Sequence, residues 1–299
     1  EILNTAPVIT DLDIGPEGNR YTTSLLSCTA FATDEDGDLP TLSYSWTKQN
    51  TSSPDSEETL SETSSTLQLN PTDFQVGDII TCHVVAEDAS GEQVEDNTSI
   101  QISNMAPTGD SIDVDFSGDT VYQNSYLTCN AFGSDADLEE ITTTYTWLHN
   151  GSTIMVPPSD LDTGAESTPY TDNSIYVSDI EDINVGDRVS CVATFEDPHG
   201  GQGFITSDLF VANSIPSFTQ EVSIDPTTAR TGTSHTCSAI VDDADDGLLD
   251  VTYSWSIEGN IVSEEASIVL SGPEFTVGSS LICTASATDN SGYTIDSTS

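Results

Sequence analysis

An all-β fold, with three β-sandwiches in an elongated tandem array, is predicted by three observations. First, an acidic stretch recurs as Phe31 to Trp46 (FATDEDGDLPTLSYSW), Phe132 to Trp147 (FGSDADLEEITTTYTW) and Ile240 to Trp255 (IVDDADDGLLDVTYSW). Second, a cysteine precedes each of these tryptophans by 18 residues, and every copy has a second cysteine further on. Third, apolar and polar residues alternate around the cysteines, which is typical of half-buried strands. Three copies in one register indicate a repeat protein.

Short junctions divide the 299 residues into domains of a size that can bury one core each. The junctions read NTAP from Asn4, NMAP from Asn104 and NSIP from Asn213. They predict domains at residues 5–105, 106–214 and 215–299, the last with an incomplete final strand. Residues 1–4 are then the end of a preceding strand or a donor strand. Because proline fixes φ and no Gly/Ser run occurs at the junctions, we expect a preferred orientation between neighbouring domains.

The strands of the first repeat follow one another in a simple order. The pattern predicts a cysteine strand at Tyr21 to Thr33, a tryptophan strand at Thr41 to Thr47, and a further strand at Ser65 to Leu69. Between the last two, Lys48 to Ser64 is polar and predicts a loop with a weak edge strand. Gly77 then fits a turn that needs positive φ before the second cysteine strand. No segment holds a period of 3.6 residues, so no helix is expected.

Six cysteines fall two to a repeat, and no CxxC or Cys/His cluster suggests zinc. One disulfide within each domain is therefore predicted, as Cys28–Cys82, Cys129–Cys191 and Cys237–Cys283; buried free thiols are the alternative. Disulfides are formed in oxidising compartments, so an extracellular or cell-surface location is expected. No apolar run is long enough to span a membrane, and no export signal is recognised in the sequence.

The charge is extreme, since 51 acidic residues face four Lys and Arg residues, for a formal net charge of -47. Such a surface repels nucleic acid and anionic lipid, which excludes both as partners. Four cations cannot neutralise 51 carboxylates, so bound cations, high salt or an elongated shape must reduce the self-repulsion. Disorder is the other interpretation of such acidity. The regular strands, the cysteines and the 35% apolar content argue against it.

A cysteine on an early strand, a tryptophan on the next and a cysteine on the penultimate strand describe an immunoglobulin-like sandwich. Together with the DxDGD turn, the VGD turn and the NxAP junctions, they resemble the tandem Ig-like repeats, of PKD-like or cadherin-like type, of large microbial surface proteins. One departure from antibody domains is the missing tyrosine corner, since Ile80, Val189 and Leu281 lie two residues before the second cysteines.

In an Ig-like sandwich, the loop between the first cysteine strand and the tryptophan strand lies at the same end as the loop after the second cysteine and the incoming linker. Acidic and amide residues of all three should therefore converge. Oxygen ligands of this kind are what Ca²⁺ takes in proteins, so we expect a calcium site in each repeat. The alternative is that Asp simply suits solvated turns. The predicted ligands are Asn4, Asp34, Asp36, Asp38, Asp88, Asn104, Asp135, Asp137, Glu139, Asp197, Asn213, Asp243, Asp245 and Asp289.

Catalysis is not expected, because no catalytic or nucleotide-binding motif is present and the four histidines are isolated. We therefore expect a non-enzymatic structural protein: a stiff stalk, an adhesin shaft or a filament subunit. One alternative is a recognition module for a carbohydrate or a partner protein, although few aromatic residues lie outside predicted strands (Phe74, Tyr170, Phe204 and Phe218). Accessory domains of a larger secreted enzyme are the other alternative.

The expected partners are neighbouring Ig-like domains or identical subunits arranged head to tail. In the second case, residues 1–5 of one subunit would complete the third domain of the next by strand addition. Three Asn-x-Ser/Thr sequons, at Asn50, Asn97 and Asn150, could carry glycans.

Overall fold

The structure is a computed structural model, which describes residues 3–51, 53, 56–156, 167–273 and 275–299. The first repeat contains β1 (Val8–Gly15), β2 (Leu25–Thr33), β3 (Thr41–Gln49), β4 (Glu57–Thr59), β5 (Thr66–Gln68), β6 (Ile79–Glu87) and β7 (Gln93–Gln101). The second contains β8 (Thr108–Asp115), β9 (Tyr126–Ser134), β10 (Thr142–His149), β11 (Ser152–Thr153), β12 (Met155–Val156), β13 (Thr168–Pro169), β14 (Ser174–Tyr176), β15 (Arg188–Glu196) and β16 (Gln202–Phe210), with a 3-10 turn at Val177–Asp179. The third contains β17 (Ser217–Asp225), β18 (Ser234–Asp243), β19 (Gly247–Leu249), β20 (Val251–Ile257), β21 (Asn260–Ser263), β22 (Ser267–Val269), β23 (Leu281–Thr288) and β24 (Thr294–Thr298).

Two sheets recur in each repeat. One sheet carries the first cysteine, with strand orders β1-β2-β5, β14-β9-β8 and β17-β18-β19, and β22 also pairs with β18. The other sheet carries the tryptophan and the second cysteine, with strand orders β4-β3-β6-β7, β11-β10-β15-β16 and β21-β20-β23-β24. A separate two-stranded sheet joins β12 and β13. The predicted all-β fold with Ig-like sandwiches is confirmed.

The three predicted disulfides are present, and each joins the two sheets of one repeat. All three tryptophans are fully buried. In the first repeat, Trp46 lies opposite Cys82 in the β3–β6 register and belongs to the same core cluster as Cys28. The core forms because β6 alternates buried and half-buried residues along its length, as a strand with one face inward must.

By contact density the chain forms two compact units, one of residues 1–112, 131–144 and 193–205 and one of residues 113–130, 145–192 and 206–299. The division passes through the second repeat, so the domain boundaries at 105 and 214 stay a prediction. No helix among the described residues is long and apolar enough to cross a lipid bilayer.

Several details differ from the sequence prediction. The first cysteine strand begins at Leu25, because Tyr21 and Ser24 close a turn through a backbone hydrogen bond of 2.9 Å. Leu3 and Asn4 are not in a strand, while Glu1 and Ile2 lie outside the described residues. Of the aromatic residues expected outside strands, Phe74 is buried in the core, and Phe204 and Phe218 lie in β16 and β17.

Candidate metal centres

Three acidic clusters, one in each repeat, lie where a linker meets two loops. In the first repeat, one loop follows β2 and the other follows β6, and each turns at a glycine with positive φ, Gly37 and Gly91. We name the clusters by their linker asparagines. The Asn4 site comprises Asn4, Asp34, Asp36 and Asp88; the Asn104 site comprises Asn104, Asp135, Asp137, Glu139 and Asp197; the Asn213 site comprises Asn213, Asp243, Asp245 and Asp289.

The Asn4 site ties the linker to both loops through hydrogen bonds. Asn4 donates from Nδ2 to Asp88 Oδ2 at 2.8 Å. The next linker residue, Thr5, donates its backbone N–H to Asp36 Oδ2 at 2.7 Å. Within the first loop, the N–H of Asp36 donates to Asp34 Oδ1 at 2.7 Å. One amide and three carboxylates are therefore held together without a cationic side chain.

The Asn104 site repeats this arrangement atom by atom. Asn104 donates from Nδ2 to Asp197 Oδ2 at 2.8 Å, and the N–H of Met105 donates to Asp137 Oδ2 at 2.7 Å. The N–H of Asp137 donates to Asp135 Oδ1, also at 2.7 Å. Asp135, Asp137 and Asp197 are each more than nine-tenths buried.

The Asn213 site follows the same plan in the third repeat. Asn213 donates from Nδ2 to Asp289 Oδ2 at 3.0 Å, and the N–H of Ser214 donates to Asp245 Oδ2 at 2.5 Å. The N–H of Asp245 donates to Asp243 Oδ1 at 2.8 Å. Asp243 and Asp289 are buried as deeply as their counterparts in the second repeat.

Asp88, Asp197 and Asp289, which lie six residues after the second cysteines, all have a carboxyl pKa below the ordinary value. For Asp88 the main cause is the hydrogen bond from Asn4. For Asp197 and Asp289 burial acts to raise the pKa, but hydrogen bonds from the linker asparagine and from loop N–H groups outweigh it. These three carboxylates therefore keep their negative charge under mildly acidic conditions.

Each site also contains buried oxygen atoms that receive no hydrogen bond. They are Asp34 Oδ2 in the Asn4 site, Asn104 Oδ1 and Asp135 Oδ2 in the Asn104 site, and Asn213 Oδ1, Asp243 Oδ2 and Asp245 Oδ1 in the Asn213 site. A buried acceptor without a partner costs about 1–3 kcal/mol, and a carboxylate oxygen costs more. The first loop aspartate contributes such an atom in all three repeats, so the pattern is systematic.

The donor set suits a metal ion that prefers oxygen. In the Asn104 site, Asp135, Asp137 and Glu139 each offer a carboxylate oxygen within 4.8 Å of the others. The linker asparagines donate with their nitrogen to a carboxylate, and in the Asn104 and Asn213 sites the amide oxygen is left without a donor. Carboxylate and amide oxygens in this number are typical ligands of a hard divalent cation.

The Asn104 site has two additional contacts. Thr22, which is fully buried, donates its hydroxyl to Asp137 Oδ1 at 2.5 Å across 115 residues of sequence. In the second contact, His199 Nδ1 lies 2.9 Å from Glu139 Oε1. Glu139 therefore belongs to the acidic cluster and also pairs with a histidine.

The structure brings together thirteen of the fourteen predicted ligands. Asp38 is the exception: it is half-buried, and within the described residues the hydrogen-bond network of the Asn4 site does not include it. The geometry identifies the candidate ligands, and metal binding at these sites stays a prediction.

Sequence reasoning missed the hydroxyl groups that support these sites. Thr5 and Ser214 each donate a hydroxyl at 2.8 Å to the second loop aspartate, Asp36 or Asp245. A hydroxyl residue after the linker asparagine in two of three junctions was the available signal. Nothing in the sequence marks Thr22, whose contact depends on how two distant segments pack.

The sequons differ in their surroundings. Asn97 is exposed on β7. Asn150 donates its side-chain amide to Asp187 Oδ1 at 2.7 Å and accepts the N–H of Arg188 at 2.9 Å. A glycan on Asn150 would compete with these bonds, whereas glycosylation of Asn97 would break no side-chain contact seen among the described residues.

Comparison with known proteins gives only structural likeness. No protein-family model matches the chain, and a search of curated proteins finds no match. A structure of a 1.5-MDa bacterial ice-binding adhesin is similar over 99% of this chain and 97% of its own, with 15% identity and a TM-score of 0.32. A Ca²⁺-stabilised adhesin from an Antarctic bacterium is similar over 99% of this chain and 73% of its own, with 14% identity and a TM-score of 0.34. A tetra-tandem repeat from the extending region of a large adhesion protein is similar over 98% of this chain and 74% of its own, with 19% identity and a TM-score of 0.35. Likeness at this level assigns no function, so the chain's own residues must do so.

Proposed function

We propose that this chain is a non-enzymatic structural part of an extracellular or cell-surface protein, and that Ca²⁺ bound at the Asn4, Asn104 and Asn213 sites stiffens its linkers. A stalk, an adhesin shaft or a filament subunit would use such a chain in the same way. The proposal depends mainly on one observation: buried oxygen atoms without a hydrogen-bond donor recur in equivalent loops of three repeats.

A cation would act on the linkers because each site includes linker atoms. The linker asparagine supplies an amide oxygen, and the two loops supply carboxylates that are hydrogen-bonded to the linker. When these oxygens share one cation, the linker cannot move without losing ligands. A bound Ca²⁺ would also supply the partner that the buried oxygens lack.

The charge of the chain favours cation binding in general. Close carboxylates repel one another by about 1 kcal/mol at 4 Å even at the dielectric constant of water, and by more where they are buried. The chain has four Lys and Arg residues against 51 acidic residues, so it cannot offset this repulsion itself. A divalent cation in each cluster reduces the repulsion where it is strongest.

The location is supported by the three disulfides, which join the sheets and leave no free cysteine among the described residues. Disulfides of this kind form and persist outside the reducing cytosol. They also stabilise each repeat against unfolding, which is useful in a protein exposed to varying salt and to mechanical load.

Thermal unfolding of the 299-residue protein with Ca²⁺ and with a chelator tests the proposal. At a concentration about 100 times Kd, one site should stabilise its repeat by about 2.7 kcal/mol and raise Tm accordingly. The variant Asp243→Asn should lose this gain for the third repeat. Its matched control is Asp242→Asn, which removes the same charge from the exposed neighbouring residue.

Ionic strength must be kept constant with a monovalent salt, because simple screening also stabilises a polyanion. If chelation leaves Tm unchanged under these conditions, or if Asp242→Asn reduces the calcium response as much as Asp243→Asn does, the proposed cation sites are wrong.

A further inference from the structure

The Asn104 site contains one more carboxylate than each of the other two sites. The additional carboxylate belongs to Glu139, in the loop after β9. The equivalent residue of the first repeat is Asp38, which takes no part in the described hydrogen bonds of the Asn4 site, and that of the third repeat is Gly247, which has no side chain. One divalent cation therefore leaves more negative charge uncompensated in the Asn104 site than in the others.

A histidine also belongs to this cluster. His199 lies two residues after Asp197, where the first and third repeats have Ser90 and Ser291. Glu139, Asp197 and His199 each offer a ligand atom, and these three atoms lie within 4.8 Å of one another. Ca²⁺ takes oxygen ligands, whereas an imidazole nitrogen together with carboxylates suits Zn²⁺. The donor set on this side of the site therefore differs in chemical type from a calcium site.

The spacing between the histidine and the glutamate fits a small divalent metal. His199 Nδ1 lies 2.9 Å from Glu139 Oε1 and 3.1 Å from Glu139 Oε2. Ligand atoms about 2.1 Å from one ion, at angles of about 90–110°, stand about 3.0–3.4 Å apart. A zinc ion could thus replace the proton that the two groups share, and neither side chain would have to move far.

The loop after β15 fixes the position of Asp197. Its Oδ1 accepts the N–H of His199 at 2.8 Å and the N–H of Gly201 at 2.9 Å. A side chain at Gly201 would collide with Asp197 Oδ2 and Asn104 Nδ2, so this close approach requires glycine. The carboxylate of Asp197 is therefore held against the backbone that carries His199.

The surroundings of Glu139 provide both a buried oxygen without a partner and space for a hydrated ion. Asp135, which is 8% exposed, leaves Oδ2 without a donor and offers a carboxylate oxygen within 4.8 Å of one from Glu139. The side chains of Glu139 and His199 are 16% and 43% exposed. With Thr51 and Gln75 they line a cavity of about 430 Å³, which can hold several water molecules at about 30 Å³ each.

We propose that the Asn104 site has a second metal position that binds Zn²⁺ through His199 Nδ1, Glu139 and Asp197, with water from the cavity completing the coordination. The inference rests on the proposed function in one respect, since Glu139 and Asp197 are also candidate calcium ligands. Two divalent cations balance the four carboxylates of this site, which one cation cannot do. Zinc at this position ties the loop after β9 to the loop after β15.

Competition with a zinc-binding dye of known affinity tests the second position in the 299-residue protein. Ca²⁺ is kept in large excess and the monovalent salt is kept constant, because a polyanion attracts any divalent cation. The expected result is one Zn²⁺ retained per chain. His199→Gln should weaken zinc binding by at least about 100-fold, because loss of a direct ligand costs more than the roughly 10–100-fold effect of an outer-shell partner. Glu139→Gln should weaken it in the same way.

The matched control is His83→Gln, because His83 also lies near a carboxylate, 3.8 Å from Glu57 Oε1, but outside the cluster. This variant should bind zinc as the parent does. Electron paramagnetic resonance of the protein with less than one equivalent of Cu²⁺ tests the ligand itself. The parent should show coupling to one imidazole nitrogen, and this coupling should be lost in His199→Gln and kept in His83→Gln.

Complete displacement of zinc by Ca²⁺ would overturn the proposal, as would equal zinc affinity of the parent and His199→Gln. Failure of the zinc position can be distinguished from failure of the calcium sites. A parent protein whose Tm rises with calcium but which retains no zinc contradicts the second position alone. A parent that retains zinc through His199 but shows no change of Tm with calcium contradicts the proposed function alone.

Discussion

The Asn104 and Asn213 sites contain equivalent asparagine and aspartate residues, yet they differ in how many oxygen atoms already have a protein donor. In the Asn104 site, Thr22 donates to Asp137 Oδ1, and two oxygen atoms are left without a partner. In the Asn213 site, the equivalent atom, Asp245 Oδ1, has no donor, and three atoms are left. In the Asn104 site a hydroxyl group therefore partners a carboxylate oxygen, and a cation would have to partner the equivalent oxygen in the Asn213 site.

This difference predicts that the two proposed sites depend on calcium to different extents. The Asn104 site has more internal support, because Thr22 fixes Asp137 and His199 faces Glu139. The Asn213 site relies on Ser214, whose hydroxyl lies 3.1 Å from Asp243 Oδ1 and 2.8 Å from Asp245 Oδ2. We expect calcium removal to loosen the Asn213 site more than the Asn104 site.

The largest effect is expected from Asp289→Ala, measured by denaturant unfolding in calcium. The change leaves the N–H of Tyr293 without its acceptor and removes one of the two hydrogen bonds that the Asn213 side-chain amide donates, so it should cost about 2–4 kcal/mol. Asp197→Ala should cost a similar amount, because Asp197 accepts the same kinds of bonds.

Asp296→Ala, an exposed site on β24, is the control for lost charge. If it destabilises the protein as much as Asp289→Ala does, the hydrogen bonds of Asp289 are not the cause, and the equivalence of the two sites fails.

A smaller effect is expected from Thr22→Val, which removes the hydroxyl donor to Asp137 and keeps the shape of the side chain. Stability without calcium should fall by about 1–2 kcal/mol, since a buried carboxylate oxygen loses its partner. The calcium-dependent increase in Tm of the first and second repeats should become larger, and the Asn104 site should then resemble the Asn213 site.

The exposed neighbour Thr23 provides the control, because Thr23→Val changes the same groups without touching Asp137. An unchanged calcium response in Thr22→Val would contradict the idea that the hydroxyl and the cation support the same carboxylate.

The smallest difference between the sites is expected in their pH dependence. Asp197 and Asp289 have a folded pKa below the ordinary value of 3.8, so their contribution to stability is present above that value and is lost as the pH falls through the folded pKa. Unfolding free energies measured from pH 5 downwards should therefore fall below about pH 4 for both sites.

Asp187 supplies an internal standard for this measurement. Hydrogen bonds from Asn150 and His149 lower its pKa to about 2, so its contribution should disappear between about pH 4 and pH 2. Asp187→Asn should reduce the loss of unfolding free energy in that pH range and leave unchanged the loss that is due to Asp197. Coincident changes for Asp187→Asn and Asp197→Asn would show that the two carboxylates do not titrate independently.

Much of the fold follows from the sequence because it depends on local patterns. The alternation around Cys28 and the fixed offset to Trp46 define a strand, a turn and a strand, and the structure has β2 and β3 there. The partners of the cysteines follow from their distribution, since two fall in each repeat. Strand ends are less predictable: Tyr21 to Ser24 was included in the predicted strand but closes a turn.

The acidic residues of the candidate sites could be predicted from the sequence, but the groups that hydrogen-bond to them could not. Asp34, Asp36 and Asp88 stand at fixed distances from the cysteine and the tryptophan, so their positions recur in all repeats. The contact of Thr22 with Asp137 depends on packing between segments that are far apart in sequence, and no periodicity encodes it. Asp38 is half-buried and takes no part in the described hydrogen bonds of the Asn4 site, so its role as a ligand stays a prediction.

The disulfides have a further consequence for a chain pulled at its two ends. A covalent bridge shortens the path that the force follows, so the residues between the cysteines cannot extend even after the repeat has unfolded. The cysteines of Cys28–Cys82, Cys129–Cys191 and Cys237–Cys283 lie 54, 62 and 46 positions apart in sequence. At about 3.5 Å per extended residue, they withhold about 190, 220 and 160 Å of contour length. Reduction of the bridges would release that length, so the compliance of the chain under tension is set by redox state as well as by folding.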